Sequence, residues 1–165
     1  MINNNKSFNK LFYIVGSRAR IKFKNDLCEL FKKIKSETLQ NIISFDVVKN
    51  DYDYLYIGNP IDIINEYKQY IINIKIDLIT LKINNIKYDV FVSNNNDKYY
   101  YFLYLILGKI PTIVLRQKAK RHGLKLNRHG LYYIDNLRKV PLRFDDKKNM
   151  FDNIYIIMNY IYKQS

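Results

Sequence analysis

Asn50-Asp51-Tyr52-Asp53-Tyr54-Leu55-Tyr56-Ile57 sets two carboxylates one residue apart at the mouth of an apolar, β-prone run. Alternate residues of a strand share a face, so Asp51 and Asp53 would project together as one oxygen-rich edge. On a chain of net charge +13, such an edge points to a divalent cation working beside phosphate. Hard cations take carboxylate oxygens, and a positive field draws polyanions. The same Asp-x-Asp pattern near Asn and Gly also marks ordinary turns and solvated strand ends, so a metal site requires further ligands elsewhere in the chain.

Asp89 is the first candidate. It sits in Ile86-Lys87-Tyr88-Asp89-Val90-Phe91-Val92, a strongly β-prone segment in which an acid either faces water on a half-exposed strand or joins the aspartate pair. Three carboxylates on neighbouring strands can hold two cations, which lower the pKa of an attacking hydroxyl and stabilise the phosphorus and the departing pyrophosphate. A second constellation is basic: Arg116, Lys118, Lys120, Arg121, Lys125 and Arg128 fall within thirteen positions that contain no acid. A charge run of this kind is commonly a solvated face. Here 28 Lys and Arg stand against 15 Asp and Glu over the whole chain, which makes phosphate backbone the expected ligand. Tyr132 and Tyr133 either stack on bases or pack against helices, and His122 and His129 read as surface residues of a basic lobe.

The 165 residues, 48% of them hydrophobic, suffice for one compact unit or two small lobes. No apolar run reaches the length of a membrane span, and Met1 to Lys10 is polar and Asn-rich without the apolar core of a signal peptide. The expectation is a soluble, intracellular protein of cytoplasm, nucleus or a viral replication site, without a membrane partner. A basic amphipathic helix for an anionic membrane is also lacking. The lone Cys28 excludes an internal disulfide and reads as a core residue of a helix.

Periodicity predicts a strand at 11–15 ending at Gly16, a helix from Phe23 to Ile34, a strand at 42–48, and the strand at Tyr54 to Ile57 behind the aspartates. Gly58-Asn59-Pro60 stops that strand, and Pro60 can open a helix reaching about Tyr70. Strands at 74–83 and 86–92 follow, joined by the hairpin signal Asn84-Asn85. Beyond the polar stretch 93–97 the pattern turns helical: 99–107, then 112–122 with Pro111 near its start and Gly123 as cap. A small hairpin at 130–142 and a last helix near 147–162 complete the chain. The fold class expected is α+β: a mixed or antiparallel sheet with helices over residues 1–95, then a small, mostly helical lobe over 96–165.

In order along the chain, Asn50-Asp51-Tyr52-Asp53, Tyr88-Asp89-Val90-Phe91 and Arg116-x-x-Ala119-x-x-x-Gly123-x-x-Leu126-Asn127-x-x-Gly130-Leu131 resemble the motifs of family X DNA polymerases. Val140-Pro141-Leu142 and Asp145 to Ile154 are similar to that family's carboxy-terminal turn and helix. The resemblance is greatest to the minimal asfarvirus-type enzymes, so the expectation is a nucleotidyltransferase palm and a thumb-like (fingers) lobe without an amino-terminal lyase domain.

The resemblance implies that Asp51, Asp53 and Asp89 are the catalytic, metal-binding triad for Mg2+, with Mn2+ as a substitute. Asp89 would be the carboxylate beside the primer terminus. It implies that Tyr104 and Leu105 lie against the incoming sugar, that Arg116 meets the nascent base pair, and that Lys118, Lys120, Arg121, Lys125 and Arg128 hold DNA phosphates. Activity would be template-directed transfer from a dNTP to a primer 3′-OH by a monomer, on gapped or primer-template DNA in short-gap repair. The alternatives are a template-independent nucleotidyltransferase and a degenerate palm that binds DNA or a replication partner without catalysis.

Two positions depart from the family pattern. Its Phe-Thr-Gly turn is here Leu105-Ile106-Leu107-Gly108. Its Gly-Ser motif is absent just before the aspartates, while Gly16-Ser17-Arg18-Ala19-Arg20, with the chemistry to grip a triphosphate, lies 35 positions before Asp51. Either a helical insertion separates motif from metal site, so that Gly16, Ser17 and Arg18 bind nucleotide, or the motif has decayed into a strand-ending turn and Lys49 substitutes for it.

Overall fold

The computed structural model describes residues 12–46 and 52–164; Lys49 and Asp51 lie outside them. Strand β1 (Phe12–Val15) leads directly into helices α1 (Gly16–Lys22), α2 (Lys24–Lys33) and α3 (Glu37–Ile42). After β2 (Tyr52–Ile57) come α4 (Pro60–Glu66), a 3-10 turn, and three strands, β3 (Ile71–Ile74), β4 (Leu78–Ile83) and β5 (Ile86–Ser93). Helices α5 (Lys98–Leu107) and α6 (Lys109–Arg121), the hairpin β6 (Leu124–Asn127) and β7 (Gly130–Tyr133), and α7 (Met150–Lys163) complete the described chain.

The five longer-range strands form one mixed sheet in the order β1-β2-β5-β4-β3, so the fold is α+β. Only β2 and β5 run parallel; the other neighbours are antiparallel. Alternation sorts the strands into two faces. Tyr56, Tyr88, Val90 and Val92 pack with Ile63 of α4 on one face. Val15, Leu55 and Ile57 point to the other, where α1, α2, α5, α6 and α7 cover them.

Several local signals act as the sequence suggests. Pro60 occupies the first turn of α4, and Asn59 Oδ1 accepts a hydrogen bond from the Ile61 amide at 2.9 Å. Asn84 and Asn85 take φ of 53° and 65°, the left-handed pair that a two-residue hairpin of the right twist requires. At the head of α7, the fully buried Asn153 accepts from the Asp145 amide at 2.8 Å and donates to the Asp145 carbonyl at 2.9 Å, which pins the preceding loop to the helix.

Other expectations are corrected. The strand predicted at 42–48 is not formed over its described part: Ile42 closes α3 and 43–46 pair with no strand. Ser36 Oγ accepts from the Leu39 amide as an N-cap, and burial of Leu39 against the core favours the helix over the β propensity of its neighbours. The helix predicted from Phe23 to Ile34 does form, as α2, and α1 is an additional helix before it that the periodicity did not show. The 74–83 strand is interrupted between β3 and β4. Over the expected 130–142 hairpin the chain does turn back, with an antiparallel bridge between Tyr132 and Lys139, but the regular ladder lies just before it at 124–133, where Asn127 Oδ1 accepts from the amides of both His129 and Gly130 and closes the turn. Cys28 is half-buried on α2 rather than a core residue.

The largest apolar cluster draws Val15, Leu27 and Leu55 from before residue 96 and Tyr100, Leu103, Leu115 and Ile157 from after it. The two segments therefore share one core. Leu103, with no exposed surface, lies within it, and Leu103→Ala is expected to cost about 2–5 kcal/mol. In urea, both segments of that variant should unfold in a single earlier transition; two separated transitions by circular dichroism and a carboxy-terminal probe would contradict the shared core.

Candidate functional site

The candidate site is built at one end of the sheet. Val15 lies opposite Asp53 in the antiparallel β1–β2 register. The next residue, Gly16, has φ of +73°, a conformation that lets the chain leave β1 and enter α1 at once. A β-carbon at Gly16 would collide with the Asp53 carboxylate, so glycine is required for steric as well as conformational reasons. Ser17, 3% exposed, follows at the first turn of α1.

Asp53 and Asp89 are direct partners in the parallel β2–β5 register, which puts both carboxylates on the same face. Two residues further along the same face, Leu55 and Phe91 pass under the helices. The aspartates therefore stand where the helical layer ends and the sheet opens. Thr80 of β4 is the antiparallel partner of Asp89, and its buried hydroxyl donates to Asp89 Oδ1 at 2.9 Å. That bond fixes the carboxylate rotamer from below.

Facing Asp53 is a cleft of about 530 Å³, whose wall includes Phe91 of β5 but not Asp89. Gly16, Ser17 and Asp53 form its sheet side; Tyr104 and Leu105 of α5 and Arg116 of α6 form its helical side. Six of the sequence-predicted residues, separated by up to 100 positions, thus surround one space. Burial pushes the Tyr104 phenol up, and the Arg116 and Arg128 charges partly offset it, so Tyr104 is a neutral hydroxyl donor toward the cleft at physiological pH.

Arg18 takes a different position. Its guanidinium lies 3.9 Å above the ring centroid of Tyr52, and Tyr52 faces the opposite side of β2 from Asp53. Arg20, part of the same Gly16–Arg20 segment but given no separate role from sequence, lines the cleft instead. Its Nε donates to the Ser44 carbonyl at 3.1 Å and one terminal nitrogen to the Ile106 carbonyl at 3.4 Å, tying α1 to the chain after α3 and to the end of α5. These two partners are backbone oxygens 24 and 86 positions away, which no local pattern shows; its place one turn after Ser17 is the available signal. Lys109 and Thr112 also line the cleft.

The basic cluster, continuous in sequence, is divided in space. Arg116 and Lys120 lie with Lys125 of β6 along a hollow of about 420 Å³ beside the cleft. Lys118 and Arg121 lie on the other side of α6, in a groove with Lys32 and Lys35. Arg128 pairs with Asp77 at 2.8 Å, and the neighbouring His129 Nδ1 is 2.8 Å from Asp97. Successive helix residues turn by about 100°, so residues two apart cannot share a face.

Among the described residues, no group of three or more His, Cys, Asp or Glu side chains is placed to hold a metal ion. The described carboxylates of the predicted triad are Asp53 and Asp89. Also among the described residues, no helix is long and apolar enough to cross a membrane. No protein-family model matches the chain, and no curated protein matches it.

Gly16 and Gly123 offer a matched comparison, since both have φ near +75° but a β-carbon at Gly123 meets nothing within 4 Å. Gly123→Ala is expected to cost about 1 kcal/mol, the conformational part alone. Gly16→Ala should cost measurably more in urea unfolding because it also displaces Asp53. Equal losses would mean that Gly16 and Asp53 are not in contact.

Proposed function

We propose that the protein is a divalent-metal-dependent nucleotidyltransferase with a family X-like palm, acting as a template-directed DNA polymerase on primer-template or gapped DNA. The observation that carries the proposal is the meeting of Gly16-Ser17 with Asp53, itself level with Asp89. A strand-ending Gly-Ser turn beside paired carboxylates is what a triphosphate and its cations require: amides and a hydroxyl for the phosphates, oxygens for the metal. Of the two readings of Gly16-Ser17, this proximity favours insertion, with α1 to α3 lying between the motif and the aspartate strand. The Asp53 and Asp89 oxygens on adjacent strands are hard donors of the kind Mg2+ takes, with Mn2+ as a substitute; Asp51, the third carboxylate of the sequence reading, lies outside the described residues.

Bound Mg2+ would supply charge neutralisation at the phosphates and a lowered pKa for the primer hydroxyl. Within the cleft, Ser17 and the amides around it hold the β- and γ-phosphates of a dNTP, and Tyr104 with Leu105 bounds the sugar. Arg116, across the cleft from Asp53, meets the base pair. The primer 3′ oxygen attacks the α-phosphorus on the Asp89 side, its proton passes to that carboxylate, and pyrophosphate leaves toward Ser17. Thr80 keeps Asp89 aligned by occupying one of its oxygens.

Asp89→Asn is expected to abolish primer extension while leaving DNA affinity unchanged. Undiminished extension would remove Asp89 from the site. Thr80→Val, which deletes the supporting hydroxyl while keeping shape, should reduce extension about 10–100-fold with recovery at higher Mg2+. Extension with and without a template strand, in Mg2+ and then Mn2+, separates the polymerase from a template-independent transferase and from a non-catalytic DNA-binding palm.

A further inference from the structure

The side of α6 turned away from the cleft carries its own groove, of about 1010 Å³, between α6, the α2–α3 turn and Tyr162 of α7. Lys32, Lys35, Lys118 and Arg121 line it against a single acid, Glu37. Among the described residues no ion pair neutralises Lys32, Lys35 or Arg121, and all three are exposed. None of the exposed large apolar side chains lies in it. The remaining lining sets hydroxyls and amides, among them Thr38, Gln40 and Gln117, beside Phe31, Ile34 and Val114, which are buried or half-buried at its floor. A concave, cationic and hydrogen-bonding surface without an apolar wedge suits a phosphodiester backbone better than a lipid surface or an apolar peptide.

Lys35 adds an independent observation. It closes α2 in the left-handed conformation, φ of 56°, with its amide bonded to the Lys32 carbonyl at 3.1 Å and the Ser36 amide to the Phe31 carbonyl at 3.0 Å. This is the Schellman pattern, whose left-handed position favours glycine or asparagine. A lysine kept there strains the backbone and holds an ammonium group at the groove, and strain of this sort points to a role for the side chain.

We propose that this groove is a second nucleic-acid track, holding backbone phosphates of the strand that enters or leaves the cleft over the ridge at Gln117. Gln117 lines both this groove and the hollow that contains Arg116, Lys120 and Lys125, so a strand crossing it passes between two cationic walls. The track rests on the nucleic-acid reading of the cleft and extends it to residues of α2 that no motif marks.

The test is the salt dependence of binding to a fluorescent primer-template oligonucleotide, for the full chain and for a Lys32→Gln/Lys35→Gly variant. Loss of two phosphate contacts should weaken binding several-fold and lower the slope of log affinity against log salt by roughly 1.4–1.8. Glycine suits the left-handed position, so Lys35→Gly alone should raise Tm, which separates lost binding from lost folding. Unchanged affinity and slope would overturn the track, as would a variant defect seen only with phosphatidylserine vesicles and not with the oligonucleotide. Primer extension by the parent chain is measured alongside: its absence overturns the catalytic reading, while the binding difference still decides the groove.

Discussion

The parallel pairing of β2 with β5 is the constraint from which the candidate site follows. In-register parallel neighbours carry paired residues on the same face, so Asp53 and Asp89 are adjacent whatever surrounds them. Parallel strands cannot be joined by a tight turn. The chain meets this requirement with α4 and the β3–β4 hairpin between the two strands, and β4 then flanks β5 closely enough for Thr80 to reach Asp89. The connection that makes the parallel pair possible thus also supplies the hydroxyl that orients its carboxylate.

On the other side of β2, the antiparallel register with β1 delivers Gly16 to Asp53. The intervening chain is long, but loop-closure entropy grows only with the logarithm of length, about 0.6 kcal/mol per doubling. Burial of Ala19, Leu27, Leu30, Phe31 and Leu39 gives the intervening helices a place in the main core, far more than offsetting that cost. Distance in sequence between a Gly-Ser turn and an acidic strand therefore says little about distance in space.

Much of the fold was legible. The hairpin at Asn84-Asn85, the Pro60 helix start, the apolar periodicities of α2, α5 and α7, and β2 behind its aspartates all depend on neighbours within a few residues. What was not legible depends on distant ones. Helix α3 competes with β-branched residues and forms because Leu39 is buried against the main core. Within the site, the sequence pointed to Gly16, Ser17, Asp53, Tyr104, Leu105 and Arg116 but could not show that they line one cleft. It assigned Arg18 a nucleotide-facing role where Arg20 faces the cleft, because two arginines two apart on a short helix point to different sides and tertiary partners, among them the carbonyls of Ser44 and Ile106, decide which side is inward.

The same helical geometry governs the charge. Six cations in thirteen positions read as one surface, yet α6 distributes its own four to two sides of the Gln117 ridge, and Arg128 is bound to Asp77. Partition of this kind changes what a polyanion meets. A single dense patch would hold a few phosphates strongly, whereas two cationic walls separated by a neutral ridge favour a long flexible backbone that contacts each in turn. The net charge of +13 draws such a ligand from a distance within the screening length, but the side chains lining each wall determine its path once bound.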